Sequence, residues 1–251
     1  MHVSYTELNY SYTIPIKNFT PDSGMVNGYT VACHGFGGNK ESSAIQLLAE
    51  RLTEKGVVVI AFDFPCHGES QYNSDFSVKE CCNSFRTVLN YVYKTYNGAD
   101  IRSVFATSFG GYITLLEQAF LPIDVKIVLR APAVNMNETF IKGLLPVSVA
   151  EFMKNGAEMG FERKFHVDSG FWLELNQNDI SQTNIDREML IIHGNKDDLV
   201  LPRHIETFCS ANPKAELKVI DGADHRFKEK DYLEQAIDAA VNWITNEKAE
   251  P

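Results

Sequence analysis

The chain alternates short apolar runs with longer stretches in which apolar residues recur every three or four positions. Runs that are apolar without alternation are typical of parallel strands buried on both faces of a sheet. One further run, 10–16, alternates like a strand of a hairpin. The apolar runs predict strands at 29–33, 57–62, 103–107, 126–129, 188–193 and 217–220.

Between these runs the spacing of apolar residues is helical. Residues Ile45, Leu48, Ala49 and Leu52, for example, share one face of a predicted helix. Alternation of strands and helices implies right-handed crossovers and a doubly wound, mostly parallel sheet of the α/β class. The predicted helices are 42–55, 78–96, 110–120, 203–211 and 232–245.

The segment 132–186 interrupts this alternation. It shows no strand–helix–strand unit, it is too long for a plain loop, and it is rich in large apolar residues. We interpret it as a small cap inserted into a core of residues 1–131 and 187–251. The alternative is one or two ordinary helices packed on the sheet. Its aromatic side chains could form only the cap's own core or could meet a substrate, and both readings stay open.

Composition restricts the class of protein and its partners. With 251 residues, 44% hydrophobic and 22% charged, the chain is expected to fold as one large domain or as a domain with an insertion. The net charge of −10 disfavours nucleic acids and anionic membranes as partners, because both require clustered Lys and Arg. We expect a small-molecule partner, and a homodimer is left open.

The cysteines indicate a reducing compartment. Their number is odd, and no C-x-x-C spacing occurs, so neither a disulfide framework nor a zinc site is expected. No signal peptide or membrane-spanning run is visible, which favours the cytoplasm. The five are Cys33, Cys66, Cys81, Cys82 and Cys209.

Ser108 is the strongest candidate for a nucleophile. It lies in Ala-Thr-Ser-Phe-Gly-Gly at 106–111, directly after an apolar run and before a predicted helix. A sharp strand-to-helix turn flanked by small residues presents a serine hydroxyl to a substrate. The alternative is that Ser108 is only the N-cap of that helix.

A serine nucleophile requires a base, and the base requires an acid that orients it. Asp197 follows the strand 188–193, at the edge of the sheet where open α/β proteins bind ligands. His225 lies in the loop between the last strand and the last helix. We therefore predict Ser108, His225 and Asp197 as nucleophile, base and acid. Asp198 is the alternative acid, and Asp224 is expected to stabilise a turn.

Acyl transfer also requires hydrogen-bond donors for the oxyanion. The residue after the nucleophile, Phe109, offers one backbone N–H group. The run His-Gly-Phe-Gly-Gly at 34–38 follows a strand and opens a helix, and we predict the N–H group of Phe36 as the second donor.

The other histidines are expected to have structural roles. His34 and His67 are expected to bind backbone near the oxyanion loop, and His193 to be a satisfied structural residue at a strand end. His166 and His204 show no ligand spacing, so no metal is predicted. The glycine-rich run 35–40 fits neither the P-loop nor the dinucleotide pattern, so no cofactor is predicted.

Taken in order, these motifs resemble the α/β-hydrolase superfamily over nearly the whole chain. Within it, the chain resembles the cap-bearing bacterial cinnamoyl and feruloyl esterases. The order of serine, aspartate and histidine along the chain is the one found in this superfamily. The chain departs from the family at one position, because Ala106 stands where the family usually has glycine, and we expect this alanine to be tolerated. The matching segments are 34–40, 63–70, the turn at Ser108, the insertion before Asp197, and 222–225.

The resemblance implies a serine esterase that releases hydroxycinnamic acids. It also implies an aromatic-acid pocket between Ser108 and the segment 135–145. Alternatives that share the same three residues are a lipase-like esterase, a thioesterase and a C–C bond hydrolase, and a non-catalytic binder of small aromatic ligands is the alternative from another class. The candidate pocket residues are His34, Gly35, Asn135, Glu138, Leu144 and Leu145.

Overall fold

The computed structural model, which describes residues 1–72, 74–96 and 100–246, is built around an 8-stranded sheet. Its strand order is β1-β2-β4-β3-β5-β6-β9-β10. The pairs β1–β2 and β2–β4 are antiparallel, and the remaining neighbours are parallel. The strands are β1 (His2–Asn9), β2 (Thr13–Thr20), β3 (Gly28–Cys33), β4 (Val57–Phe62), β5 (Ile101–Thr107), β6 (Lys126–Arg130), β9 (Met189–Gly194) and β10 (Ala215–Ile220).

Helices cover both faces of this sheet, and each face has its own buried apolar cluster. Helices α1 and α8 pack together on one face, while α2, α3 and α7 contribute to the cluster on the other. In the described ranges, no helix combines the length and the apolar character needed to cross a bilayer. The bounds are α1 (Ser43–Glu54), α2 (Val78–Thr95), α3 (Phe109–Leu116), α7 (Pro202–Ala211) and α8 (Lys230–Thr245).

The predicted α/β class and doubly wound, mostly parallel sheet are confirmed, with two local differences. The run 10–16 is not one strand, because residues 10–12 form the turn of the β1–β2 hairpin, closed by a hydrogen bond from the amide of Tyr10 to the carbonyl of Tyr12. Strand β1 has an exposed edge and lacks a strong apolar run, so the pattern missed it. The predicted helix 110–120 ends at Leu116 and continues as a 3₁₀ turn, Gln118–Phe120.

The insertion between β6 and β9 contains helices and a small sheet of its own. Strands β7 (Ala157–Met159) and β8 (Phe165–Val167) pair as an antiparallel hairpin, which the sequence pattern did not predict because each strand has only three residues. A π-helical turn, Phe140–Leu144, continues α4. The boundaries 132–186 of a cap subdomain stay a prediction. The helices are α4 (Met136–Thr139), α5 (Val149–Asn155) and α6 (Ser169–Gln177).

Aromatic side chains join this insertion to the main sheet. The ring of Phe36, from the loop after β3, lies 5.4 Å from that of Phe165 and 6.4 Å from that of Phe140, measured between centroids. The ring of Phe171 lies 5.1 Å from that of Phe76. These rings are therefore not a core of the insertion alone. They form one buried cluster with the main domain.

Candidate active site

The turn between β5 and α3 holds Ser108 in a strained conformation. Its backbone has φ 51° and ψ −114°, a region that costs a non-glycine residue free energy and that is found mainly at functional sites. Close packing fixes the turn, because a Cβ added at Gly110 would lie 2.5 Å from the carbonyl oxygen of His34. A glycine is therefore required two residues after the serine.

The hydroxyl of Ser108 is used for a contact with histidine and not for helix capping. Ser108 occupies the N-cap position of α3, yet its side chain makes no capping hydrogen bond. Its Oγ lies 3.0 Å from Nε2 of His225. The structure thus favours the nucleophile interpretation of Ser108 over the N-cap alternative.

Asp197 completes a hydrogen-bonded chain that begins at the serine. Its Oδ2 accepts a hydrogen bond of 2.7 Å from Nδ1 of His225. Its Oδ1 accepts from the amides of Leu199 and Val200, at 3.0 and 2.8 Å. The side chain of Asp198 is exposed and, among the described residues, does not bond to His225. The geometry therefore favours Asp197 over Asp198 as the acid.

His193 lies beside Asp197, the predicted acid. Its Nε2 donates to the carbonyl of Val200 at 3.0 Å and lies 3.6 Å from Oδ2 of Asp197. Burial lowers the pKa of His193, which favours the neutral ring. Its buried Nδ1 has no partner within the described residues, so the expectation of a satisfied histidine holds for one nitrogen only.

The loop after β3 lies against the serine and contains Phe36, one of the two predicted oxyanion donors, whereas Phe109 begins α3. A Cβ at Gly35 would lie 3.3 Å from the Cβ of Ser108, which places the two backbones in close contact. The amides of Phe36 and Phe109 have no acceptor within the described part of the chain. Such unpaired N–H groups beside a nucleophile are suited to bind a developing negative charge.

Two buried histidines hold this loop in place, as the sequence predicted. Nε2 of His34 accepts from the amide of Phe64 at 3.0 Å, and its Nδ1 therefore donates to the carbonyl of Gly35 at 2.8 Å. Nε2 of His67 accepts from the amide of Gly37 at 2.8 Å, and its Nδ1 donates to the carbonyl of Pro65 at 2.8 Å.

A cluster of charged side chains links the loop after β3 to the loop after β4. The ammonium of Lys40 lies 2.9 Å from Asp63 and 2.5 Å from Glu69. Asp63 also accepts from the amides of Lys40 and Glu69, at 2.8 and 2.9 Å. With Lys40 2% and Asp63 0% exposed, neither charge is solvated, and each depends on the other.

His67 should make stability fall as the pH is lowered. Burial lowers the pKa of His67 to about 3, whereas the unfolded chain takes up this proton near pH 6.5. Below that pH the unfolded state binds the proton and the folded state does not. One such proton lowers the free energy of unfolding by about 1.4 kcal/mol per pH unit. Urea unfolding between pH 6.5 and about pH 4.5 should show a flatter decline for His67→Gln than for the parent.

The matched control for this prediction is His166→Gln, which changes an exposed histidine in the β7–β8 hairpin. Its decline with pH should be parallel to that of the parent protein. Parallel declines in all three proteins would show that His67 is not kept neutral by the fold.

A cavity of about 550 Å³ opens at Ser108 and His225. Of the predicted pocket residues, His34, Gly35 and Leu144 line it. Asn135, Glu138 and Leu145 do not line it, and their assignment to substrate binding stays a prediction. The other lining residues include Phe36, Gly38, Ser42, Thr107, Arg130, Gly143, Phe161, Asp198, Leu199, Asp224, Arg226 and Lys228.

Asn135, Glu138 and Leu145 make other contacts. Asn135 donates to Glu138 at 2.9 Å, and Glu138 also accepts from Lys142 at 2.7 Å and lies 3.5 Å from His204. Leu145 packs against the apolar cluster on this face of the sheet. The polar pair therefore links the start of the insertion to α7.

Arg130 is the cavity residue that sequence reasoning missed most clearly. It ends β6 and pairs in register with Thr107 of β5, the residue before the nucleophile. The predicted strand stopped one residue short of it. The sequence did contain one signal, because Arg130 is a charged residue directly after the apolar run 126–129.

Ala106 fits the turn, as expected. Its side chain is fully buried in the apolar cluster, and it pairs in register with Cys33 and Leu129. The neighbouring Ser108 nevertheless keeps its positive φ of 51°. Among the described residues, no group of three or more His, Cys, Asp or Glu side chains is placed to hold a metal ion.

The sheet topology, and a strained serine bonded to a histidine that is itself bonded to an aspartate, define a serine hydrolase of the α/β-hydrolase fold. The sequence model of the family described as serine aminopeptidase, S33, matches residues 25–164, more than half of the chain. The chain belongs to this family. The matched range contains Ser108 but neither Asp197 nor His225.

Solved structures share this fold over the whole chain. Est1E from Butyrivibrio proteoclasticus, solved with ferulic acid, superposes with a TM-score of 0.83 at 18% identity, covering 98% of this chain and 100% of that one. Alpha/beta hydrolase domain-containing protein 10 from mouse superposes with a TM-score of 0.76 at 19% identity, covering 98% and 100%. At these identities the likeness shows the fold. No curated protein matches the sequence significantly.

Proposed function

We propose that this protein is a serine carboxylic-ester hydrolase that works through an acyl-enzyme. One observation carries the proposal. Ser108 Oγ, His225 and Asp197 form a continuous hydrogen-bonded chain, with distances of 3.0 and 2.7 Å, at a strained strand-to-helix turn. This is the arrangement that activates a serine for attack on a carbonyl.

The proposed reaction uses each of these groups in turn. Nε2 of His225 takes the proton of Ser108 as Oγ attacks the ester carbonyl, and Asp197 stabilises the imidazolium. The amides of Phe36 and Phe109 bind the oxyanion. His225 then gives the proton to the leaving alcohol, and the acyl-enzyme forms. A water molecule, deprotonated by His225, attacks the acyl carbon, and the acid leaves as Ser108 regains its proton.

We propose small aromatic esters, in particular hydroxycinnamoyl esters, as the substrates. The size of the cavity, about 550 Å³, suits one small aromatic ligand. Phe36, Leu144, Phe161 and Leu199 give it an apolar wall. The likeness in fold to Est1E, which was solved with ferulic acid, supports this choice. Aliphatic acyl esters and thioesters are the alternatives that use the same chemistry.

The name of the family points to a second candidate, the hydrolysis of an aminoacyl amide. An aminopeptidase must bind the ammonium group at the N-terminus of its substrate. Three cations, Arg130, Arg226 and Lys228, line this cavity together with two anions, Asp198 and Asp224, of which Asp224 is paired with Lys228. The lining thus carries more side chains with the charge of that ammonium group than with the opposite charge. The wall of the cavity therefore favours the esterase proposal.

A labelling experiment and a substrate panel test the proposal. A fluorophosphonate should label the folded protein covalently at Ser108, and Ser108→Ala should not be labelled. In steady-state assays, methyl ferulate and methyl caffeate should have a higher kcat/KM than p-nitrophenyl octanoate, an acyl thioester or alanine 4-nitroanilide. Octanoate turnover without ferulate turnover would reject the hydroxycinnamoyl proposal. The absence of an adduct would instead favour a non-catalytic binder.

We also propose the cytoplasm as the location and a small-molecule ester as the partner. All five cysteines are free thiols, and four of them are buried, which supports a reducing compartment. The net charge of −10 supports the proposal that nucleic acids and anionic membranes are not partners.

A further inference from the structure

Arg130 is a buried cation at the wall of the active-site cavity. It is 7% exposed, and its Nε and Nη1 atoms have no hydrogen-bond partner in the described ranges. Within the same ranges it forms no ion pair. Its guanidinium carbon lies 4.9 Å from the ring centroid of Phe227, which holds the side chain in place without satisfying its N–H groups.

The charge of this residue is costly to bury. Burial lowers the pKa of Arg130 to about 10, so it remains protonated at neutral pH. A buried donor without an acceptor weakens the fold, and a buried charge without a counter-ion weakens it more. The nearest compensation comes from Asp197 and Asp224, neither of which is bonded to it. An anionic ligand group in the cavity would relieve both costs.

A second unsatisfied group lies beside it. Thr107 is the register partner of Arg130 on β5, it also lines the cavity, and its buried Oγ1 has no hydrogen-bond partner within the described residues. The two side chains thus offer a cation and a hydroxyl at one place, next to the turn of Ser108.

The local charge of the cavity is opposite to that of the whole protein. Lys228 is paired with Asp224 at 3.1 Å, whereas Arg226 stacks on the ring of Phe161 at 4.7 Å. Arg130 and Arg226 are therefore the cations of this wall that are not neutralised by an ion pair among the described residues. In a protein of net charge −10, such a wall attracts an anion only locally.

The position of these cations identifies the part of the substrate that they face. In the proposed reaction His225 gives its proton to the leaving alcohol, so the alcohol part must lie beside His225. Arg226 follows His225 directly, and Arg130 packs on Phe227 in the same loop. Both cations therefore lie on the side of the cavity that the loop of His225 forms.

Resting on the proposed function, we propose that Arg130 binds a carboxylate on the alcohol part of the substrate. The preferred substrates are then O-acyl derivatives of hydroxy acids. A monoanion fits this site better than a phosphate dianion, because a single buried guanidinium supplies the charge and Asp197 and Asp224 lie near it.

The test compares two ferulate esters that differ only in charge. In one, ferulate is esterified to the phenolic oxygen of 4-hydroxyphenylacetate. In the other, it is esterified to the phenolic oxygen of 4-hydroxyphenylacetamide, so that the two leaving phenols are similar. The parent protein should show a kcat/KM about tenfold higher for the anionic ester, as expected for a charged hydrogen bond. Arg130→Met should bring the ratio of the two values close to one, and Arg130→Lys should keep part of the preference.

Arg51→Met is the matched control, because it removes a partly exposed arginine that is paired with Asp238 and does not line the cavity. It should keep the preference of the parent. Equal kcat/KM values for the two esters in the parent would overturn the proposal, even if no variant folded. An equal loss on both esters in Arg130→Met would instead assign Arg130 to positioning Asp197.

Two further measurements separate this proposal from its alternatives. A preference for methyl 4-carboxycinnamate over methyl cinnamate, without a preference between the alcohol-side pair, would place the carboxylate on the acyl part and overturn the assignment. If no ester is turned over, the proposed function fails, and calorimetry still tests Arg130. The parent should then bind 4-hydroxyphenylacetate about tenfold more tightly than the amide, and Arg130→Met should not.

Discussion

Replacing Ser108 or His225 by alanine should lower kcat on a hydrolysed ester by several orders of magnitude, about 10⁶-fold where such residues act as one unit. The reason is the single hydrogen bond of 3.0 Å between Oγ and Nε2, without which neither the hydroxyl nor the imidazole can act. The double variant should lose no more than either single variant. Steady-state and single-turnover assays on methyl ferulate measure this, and KM should change far less than kcat.

A folded control is needed because Ser108 lies in a strained turn. The thermal unfolding of both alanine variants should be within a few degrees of the parent, since Ser108 makes no capping hydrogen bond whose loss would weaken α3. If the effects of the two substitutions were additive in the double variant, Ser108 and His225 would not share one step, and the proposed relay would be wrong.

Asp197→Asn should lower kcat by about 10⁴-fold, somewhat less than loss of the nucleophile. The amides of Leu199 and Val200 both donate to Oδ1, so they will hold the amide oxygen of an asparagine. Its NH₂ group then faces Nδ1 of His225. This forces the proton onto Nε2, and an imidazole with a proton on Nε2 cannot accept the proton of Ser108.

Asp198→Asn is the matched variant, since it makes the same chemical change at the exposed neighbour. It should change kcat far less than Asp197→Asn does, because the side chain of Asp198 is exposed and is not bonded to His225. Greater damage from Asp198→Asn than from Asp197→Asn would move the acid to Asp198 and contradict the geometry at His225. The kcat of both variants on one ester decides between the two residues.

The order of the main elements could be predicted from the sequence because their signals are local. Continuous apolar runs such as 57–62 are buried on both faces, and helices such as α1 place their apolar residues on one face. The β1–β2 hairpin was misplaced, and β7 and β8 were missed. An exposed edge strand and strands of three residues depend on their partners more than on their own pattern.

The candidate site also has residues that the sequence predicted and residues that it did not. Ser108, Asp197 and His225 each follow or precede a predicted strand, so their placement at one edge of the sheet could be expected from their positions in the chain. The residues that line the cavity could not be predicted from their positions in the chain. Phe161, Leu199 and Arg226 line the cavity from three separate loops, whereas Asn135 and Glu138 pair with each other and do not line it.

The sequence by itself determined the α/β fold and the candidates for nucleophile, base and acid, because periodicity and turn residues act over a few positions. Only the tertiary structure favoured Asp197 over Asp198 as the acid, and only it showed that Ser108 contacts His225 and makes no capping hydrogen bond. It alone showed that Arg130 is buried at the cavity without a partner in the described ranges. Hydrogen bonding and burial depend on residues distant in the chain, and no local pattern specifies where such residues meet.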